Sequence, residues 1–134
     1  MQTRDQRYAV AVYEQVTKIK RKYAEGEQYK KYGAISHKLP ILIHTAGLIQ
    51  ALAFVESRGQ DIQKLLLADL NATLGLNDSP TLLERVRSAE LGEYMRLTQQ
   101  IMAALLWYKR FAQSVLDVDA TEAATVLESE DRDG

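Results

Sequence analysis

The sequence predicts an all-α fold, a single-domain bundle of about five or six helices around a central apolar helix. Apolar residues recur at spacings of three and four over most of the chain, which is the pattern of helices with one buried stripe. No window shows the alternation of β-branched residues, or the Asn-Gly and Asp-Gly turns, that strands and hairpins need. With 134 residues, 46% of them hydrophobic, the chain is large enough for one substantial core.

The central helix is predicted over residues 39–58, which read LPILIHTAGLIQALAFVESR. Twelve of the seventeen residues from 39 to 55 are apolar, and they cover most of the circumference of a helix. Such a helix lies inside a core, so Phe54 is expected to be buried. The run is shorter than the ~20 apolar residues of a membrane span, and Pro40 is expected in its first turn.

One long helix is expected before the central helix, over residues 4–23. Thr3 and Gln6 have the spacing of a capping box at its start, and Gly26 is expected to end it. Its buried stripe is predicted to consist of Tyr8, Val12, Val16, Ile19 and Tyr23. Residues 27–38 are interpreted as a short, weaker helix. The sequence leaves open whether that segment is continuous with the central helix.

Three further helices are predicted after Gly59, which is expected to end the central helix. The first spans residues 61–74 and the last spans residues 93–116, and both carry apolar stripes. Between them, a short helix over residues 80–89 is predicted from Ser79 as its N-cap and Pro80 at its first position.

The net charge of −1 hides an asymmetry between the two ends of the chain. Residues 1–38 hold nine Lys or Arg against four acids, a net charge of +5, while residues 117–134 hold seven acids against one Arg, a net charge of −6. We therefore divide the chain into a helical domain, residues 1–116, and an acidic C-terminal tail, residues 117–134, where Asp119 and Glu122 are expected to cap a short helix. The basic end suggests an anionic partner, although two solvated faces without a partner explain the charges equally well.

Contact with a phosphate backbone is the binding function that the basic segments indicate. The candidate residues are Lys18, Lys20, Arg21, Lys22, Lys30, Lys31, Lys38, Lys109 and Arg110. Aromatic residues are interleaved with these cations, as on surfaces that grip a nucleic-acid backbone and stack on unpaired bases. The spacing of Tyr23, Trp107 and Tyr108 fits packing in the core better. The pattern therefore predicts anion binding without sequence specificity.

Catalytic motifs are absent from the sequence. There is no cysteine, no glycine-rich phosphate loop and no HExxH motif. His37 and His44 can share a helix face, but no acid lies at a spacing that completes a metal site locally. Glu56, Asp61 and Asp69 are interpreted as solvated surface carboxylates. We expect a chain that is not an enzyme and that has no catalytic residue, no metal site and no cofactor.

The first residues, MQTRDQRYAV, lack the apolar segment of a signal peptide. A cytoplasmic location without a membrane partner is therefore expected.

Two segments carry a resemblance to a known family. Residues 37–59, HKLPILIHTAGLIQALAFVESRG, contain the pairs Leu39-Pro40, Gly47-Leu48 and Ala53-Phe54. Residues 82–113, LLERVRSAELGEYMRLTQQIMAALLWYKRFAQ, contain a break at Leu91-Gly92 before a long aromatic and basic helix. In the order and spacing of these features, over residues 4–116, the chain resembles the small all-helical subunit of type III-B CRISPR effector complexes, the Cmr RNA-targeting complexes.

This resemblance implies an accessory subunit without an active site that serves antiviral defence. Members of the family stack along the body of the effector, against its repeated backbone subunit, and line the groove that holds guide RNA paired with target RNA. The implied partners are other Cmr complex subunits, including the repeated backbone subunit, together with guide RNA and target RNA; self-association is left open. The family supplies no fixed functional residues, so the RNA-contact candidates rest on charge and helix position.

Two alternatives remain from the sequence. One is the small subunit of the related type III-A complex, or another helical nucleic-acid adaptor of similar size and basicity. The other is a helical enzyme with a metal site at His37 and His44, which stoichiometric metal in the purified protein would reveal.

Overall fold

The computed structural model of the protein describes residues 1–76 and 81–133, with side chains as far as residue 129. Over these ranges the chain forms seven α-helices and no β-strand, which confirms the all-α class and exceeds the predicted helix count. A 3₁₀ turn at Glu25–Glu27 joins the first two helices. The helices are, in order, α1 Arg4–Lys22, α2 Tyr29–Ala46, α3 Leu48–Arg58, α4 Asp61–Thr73, α5 Leu82–Arg87, α6 Leu91–Ser114 and α7 Ala120–Asp133.

Helix α1 begins with the predicted capping box. The hydroxyl of Thr3 accepts a hydrogen bond from the Gln6 backbone N–H at 3.1 Å, and the Gln6 side chain accepts one from the Thr3 N–H at 2.8 Å. The predicted stripe is confirmed, since four of its members are buried and Tyr23 is partly buried. The helix ends at Lys22, before Gly26, which lies in the 3₁₀ turn with a φ of 64°.

The predicted central helix over residues 39–58 is wrong, because Gly47 interrupts it. Gly47 has φ 93° and ψ 160°, a conformation that residues with a side chain rarely adopt, and it separates α2 from α3. Helix α2 is continuous from Tyr29, so Pro40 lies inside a helix rather than in a first turn. After the break, α3 turns only one side to the core. Phe54 lies off that side and is 42% exposed, which corrects its predicted burial.

Helix α2 takes the central position that the sequence assigns to residues 39–58. It packs against α3, α4, α6 and α7, whereas α3 packs mainly against α2 and α5. The described helices share one hydrophobic core, whose largest fully buried side chains include Tyr32, Leu39, Leu52, Leu66 and Tyr108. None of the helices in the described part of the chain has the length and hydropathy needed to cross a bilayer.

Helix α5 starts from a different cap than the one predicted. Ser79 and Pro80 lie outside the described residues. The observed N-cap is Thr81, whose hydroxyl accepts a hydrogen bond from the Glu84 N–H at 3.1 Å. The following helix, α6, starts slightly earlier than predicted, at Leu91.

The last helix lies against α2. Asp119 Oδ1 accepts a hydrogen bond from the Glu122 N–H at 2.7 Å, which confirms the predicted cap. The helix that follows has 14 residues and is longer than the short helix expected. Val118 is fully buried, and its carbonyl oxygen accepts a hydrogen bond from Nε2 of His37 at 2.8 Å. Gly33 makes this approach possible, since a Cβ there would lie 3.0 Å from Val118 Cγ2.

Candidate nucleic-acid interface

One face of α1 carries a row of cations. Residues three, four and seven apart share a helix face, so Arg4, Arg7, Lys18, Arg21 and Lys22 form one row about 26 Å long. We call these five residues the basic ridge. All five are exposed, and a single acid, Glu14, interrupts the row. Among the described residues, Lys18 and Arg21 form no ion pair, although Lys18 lies close enough to Asp69 for its charge to act on that carboxyl.

Lys20 does not belong to this face. It is exposed, but two residues along a helix correspond to a rotation of about 200°, so it projects nearly opposite to Lys18. The four neighbouring cations of α1 that the sequence grouped together are therefore split between two sides of the helix.

The cations at the start of α2 already have partners. Lys30 Nζ lies 2.8 Å from Glu122 Oε1 and 2.7 Å from Glu27 Oε2, and these bonds raise the pKa of Lys30, with Glu122 contributing most. Lys31 Nζ donates to Gln60 Oε1 at 2.8 Å. A phosphate that bound here would have to displace these contacts. Lys38, on the same helix, is partly buried.

The aromatic and basic run of α6 divides between the core and the surface. Tyr108 is fully buried, as its spacing indicates, whereas Lys109 and Arg110 are exposed. The Arg110 guanidinium carbon lies 4.8 Å from the centroid of the partly buried Trp107 ring. Trp107 stacks on Phe111 with centroids 5.8 Å apart, and Tyr13 of α1 meets Phe111 edge-on at 5.4 Å. We call Tyr13, Trp107, Arg110 and Phe111 the aromatic strip.

A polar cluster lies where α1, α2, α4 and α6 meet. Tyr32 donates to Asp69 Oδ2 at 2.7 Å, and Tyr108 donates to the side-chain oxygen of Gln15. The Gln15 amide donates to the Asp69 carbonyl oxygen at 3.1 Å and to Thr73 Oγ1 at 3.0 Å. No sequence pattern indicated this cluster, and the interpretation of Asp69 as a solvated carboxylate is wrong, because Asp69 is partly buried.

Burial controls the protonation of this cluster. It raises the pKa of Asp69, while the hydrogen bond from Tyr32 and the charge of Lys18 act in the opposite direction. Burial also raises the pKa of both Tyr32 and Tyr108, so both phenols remain protonated and act as hydrogen-bond donors. The cluster therefore fixes the positions of helices beneath the basic ridge, and its hydroxyl groups are not activated nucleophiles.

The two histidines do not form a common site. His37 is buried and bonded to Val118, whereas His44 is exposed, and seven residues of helix separate them by about 10 Å. A metal ion needs its nitrogen ligands at about 2 Å. Over the described ranges, no group of three or more His, Cys, Asp or Glu side chains is placed to hold a metal ion.

An open groove of about 350 Å³ lies between the end of α4 and the first half of α6. Its lining includes Leu76, Leu97, Arg96 and Gln100, together with an ion pair in which Arg85 Nη2 lies 2.7 Å from Glu93 Oε1. Among the described residues that line the groove, there is neither a nucleophile nor a buried acid–base pair.

Comparison with known proteins identifies the family. Residues 4–115 match the family described as CRISPR-associated protein (Cas_Cmr5), which is most of the chain. The chain belongs to the Cmr5 family. A relative described as CRISPR system Cmr subunit Cmr5, from Thermus thermophilus, is 46% identical over 117 residues, covering 87% of this chain and 99% of that protein.

A solved structure supports the same assignment. The crystal structure of a CRISPR-associated Cmr5 family protein from Thermus thermophilus matches with a TM-score of 0.74 and 45% identity, covering 86% of this chain and 98% of that one. The predicted resemblance to the small helical subunit of Cmr complexes is thereby confirmed. The Cmr5 family match ends at residue 115, near the end of α6.

Proposed function

We propose that this Cmr5 family chain is a non-catalytic small subunit of a type III-B CRISPR effector complex that acts in antiviral defence in the cytoplasm. Family membership is the observation that carries the proposal, because the relative from Thermus thermophilus is described as a Cmr subunit. In this role the chain binds the backbone of guide and target RNA and contacts other Cmr subunits, including the repeated backbone subunit. A match to the Cmr5 family favours this function over the type III-A alternative.

The basic ridge is the surface best suited to the RNA backbone. Its cations are exposed along about 26 Å of α1, a distance that spans several phosphates. In RNA-guided complexes, base pairing with the guide supplies sequence specificity, so contacts to phosphates are sufficient. Lys109 and Arg110 provide a second exposed basic site on α6. We assign Lys30 and Lys31 a smaller part because their amino groups are already bonded within the chain.

Exposed apolar side chains support contact with protein subunits. Ile41 on α2 and Leu91 and Met95 on α6 are large, apolar and more than half exposed. Leu91 and Met95 are four apart and share a face of α6, and adjoining exposed apolar residues are characteristic of surfaces that another protein covers. They lie on helices other than α1, so the same subunit can contact protein and RNA at once.

Charge reversal on the ridge tests the RNA contact. In the variant with Lys18, Arg21 and Lys22 all changed to Glu, binding of the full chain to single-stranded RNA should weaken. The slope of log affinity against log salt should become shallower by ~0.7 for each phosphate that the variant no longer neutralises. Filter binding or fluorescence anisotropy over a range of salt concentrations measures both quantities.

A matched variant carries the same charge change elsewhere. Reversal of Arg58, Lys64 and Arg87, on three other helices, should leave most of the RNA affinity and the salt slope intact. Equal losses of affinity in the two variants would show that net charge alone matters and that the ridge is not the RNA surface. An effector complex that assembles and binds target RNA equally well without this subunit would contradict the proposed function itself.

A further inference from the structure

The aromatic strip places flat side chains next to solvent at the junction of α1 and α6. Tyr13 is 51% exposed even though its ring packs against Phe111. One part of the phenol ring therefore contacts the protein, and the remainder is accessible to solvent. Arg110 is exposed, and its guanidinium lies over the indole of Trp107. Trp107 and Phe111 are partly buried and stacked with an interplanar angle of 29°, so they form a firm support beneath the two exposed groups.

The charged residues of α6 around the strip are basic, and the nearest acid of α1, Glu14, projects on the side of that helix that carries the basic ridge. Residues 94–116 contain no acid, and their three charged residues are Arg96, Lys109 and Arg110. On the side of α1 that faces the strip, Lys20 lies near Tyr13 by helix position, seven residues further along. An anionic partner is therefore attracted to this surface, whereas a partner with basic side chains is repelled.

We propose that Tyr13 and Arg110 form a stacking site for unpaired bases of RNA. This inference rests on the proposed function and adds to it a site that recognises bases rather than phosphates. Bases that leave a duplex stack on aromatic rings and on arginine guanidinium planes, and the contact tolerates any sequence because every base has a π-face. The Arg110 guanidinium is exposed and is backed by the Trp107 ring, whose centroid lies 4.8 Å from its carbon, so a base can stack on its solvent side. The Tyr13 ring offers a second face across the junction of the two helices.

The combination of groups favours RNA over an apolar protein partner. A hydrophobic docking surface is depleted in charge at its centre, whereas this strip includes the guanidinium of Arg110. The basic ridge is on a different side of α1. The phosphates of one RNA strand can thus contact the basic ridge while an unpaired base of the same strand stacks on the aromatic strip, on the other side of α1.

Three probes separate stacking from phosphate contact. The full chain is titrated with a mixed-sequence single-stranded RNA, with the duplex of the same sequence, and with an abasic ribose–phosphate strand of the same length. Tyr13→Ala should lower the affinity for the single-stranded RNA roughly five- to hundredfold, the range expected for one stacked base. The affinities for the duplex and for the abasic strand should change little.

The conservative change at Arg110 gives the sharpest result. Arg110→Lys keeps the positive charge and removes the planar guanidinium, so it should lower single-strand affinity while leaving the salt slope unchanged. Tyr13→Phe keeps a ring and should retain the affinity. Phe54→Ala removes a comparably exposed aromatic ring from α3 and should have no effect on RNA binding.

The outcomes distinguish the stacking site from the proposed function. If the unmodified chain binds all three probes and the Tyr13 and Arg110 variants lose nothing, the stacking site is refuted while backbone binding stands. If those variants lose affinity equally for all probes, the groups contact phosphate and the stacking site is again refuted. Unchanged RNA binding together with an altered oligomeric state would assign the strip to protein contact. Absence of binding to every probe would overturn the stacking site and the proposed contact of this chain with the RNA backbone, while its membership of a Cmr complex would stand on the family match.

Discussion

The hydroxyl of Tyr32 lies 2.7 Å from Oδ2 of Asp69 and joins α2 to α4 beneath the basic ridge. Burial raises the pKa of the carboxyl above its ordinary value of 3.8 despite this bond and the charge of Lys18. The folded chain therefore holds the proton of Asp69 more tightly than the unfolded chain. Protonation of Asp69 therefore favours the folded state at pH values between 3.8 and the raised pKa of the folded chain. This contribution to the free energy of unfolding is lost as the pH rises through the raised pKa.

Asp69→Asn should remove this pH dependence. Relative to the variant, the unmodified protein should become more stable as the pH falls through the window above 3.8, because only the unmodified protein gains from protonation there. Urea unfolding at a series of acidic pH values measures the difference in the free energy of unfolding. A difference that is constant, or that grows as the pH rises, would show that Asp69 is not held in the environment described.

Glu122→Gln should strengthen RNA binding. The Glu122 carboxylate lies 2.8 Å from Lys30 Nζ and contributes most to the raised pKa of that amino group. Its neutralisation leaves the more exposed Glu27 as the carboxylate partner of Lys30 among the described residues, so Lys30 becomes more available to a phosphate. Affinity for single-stranded RNA should rise, and the salt slope should steepen by up to ~0.7. Glu128→Gln makes the same change in net charge at an exposed position of the same helix, so it serves as the control. Equal increases in affinity in both variants would trace the effect to net charge rather than to Lys30.

Gly33→Ala should destabilise the protein although alanine is the better helix former. The new Cβ would lie 3.0 Å from Val118 Cγ2 and 3.1 Å from its Cβ, so α2 and the segment before α7 would have to separate slightly. Crowding of this kind costs about 1–3 kcal/mol and outweighs the ~1 kcal/mol gained in helix propensity, for a net loss of up to ~2 kcal/mol. Thermal unfolding provides the measurement.

Gly92→Ala is the matched comparison for Gly33. Position 92 also lies in a helix, but a Cβ there would meet nothing within 4 Å. The substitution should therefore stabilise the protein by about 0.5 kcal/mol. Stabilisation by both substitutions would mean that α2 and Val118 are less closely packed than described.

Phe54→Ala should cost less than Leu52→Ala, although phenylalanine is the larger residue. Leu52 is fully buried on the inner side of α3, whereas Phe54 is 42% exposed. We expect losses of about 3 kcal/mol for Leu52→Ala and about 1.5 kcal/mol for Phe54→Ala in the free energy of unfolding, measured by chemical denaturation. The reverse order would place Phe54 in the core, as the continuous apolar run first suggested.

Local signals account for what the sequence predicted correctly. The capping box of Thr3 and Gln6 and the cap of Asp119 involve residues three apart, and the α1 stripe follows from helical periodicity alone. The break at Gly47 escaped prediction because the apolar run continues across it without a change of composition. Periodicity reports which residues are apolar, and it carries no information on a single backbone angle.

The candidate interface was predictable as a set of residue types but not as an arrangement. Lys30 bonds with a residue 92 positions away and Lys31 with one 29 positions away, so no local pattern could show that these cations are engaged. The position of Tyr13 outside the buried stripe of α1 is the sequence signal that indicates a surface residue. The polar cluster around Asp69 draws residues from four helices and had no such signal.

Trp107 is the single tryptophan of the chain, and it lies partly buried beside Arg110 and Phe111. The intrinsic tryptophan emission of the protein therefore arises from one known place on its surface. A change in the wavelength or intensity of that emission reports an event on the α6 side of the molecule, without any added label. A partner that binds away from the indole leaves the emission unchanged, so the same spectrum shows whether a partner binds near Trp107.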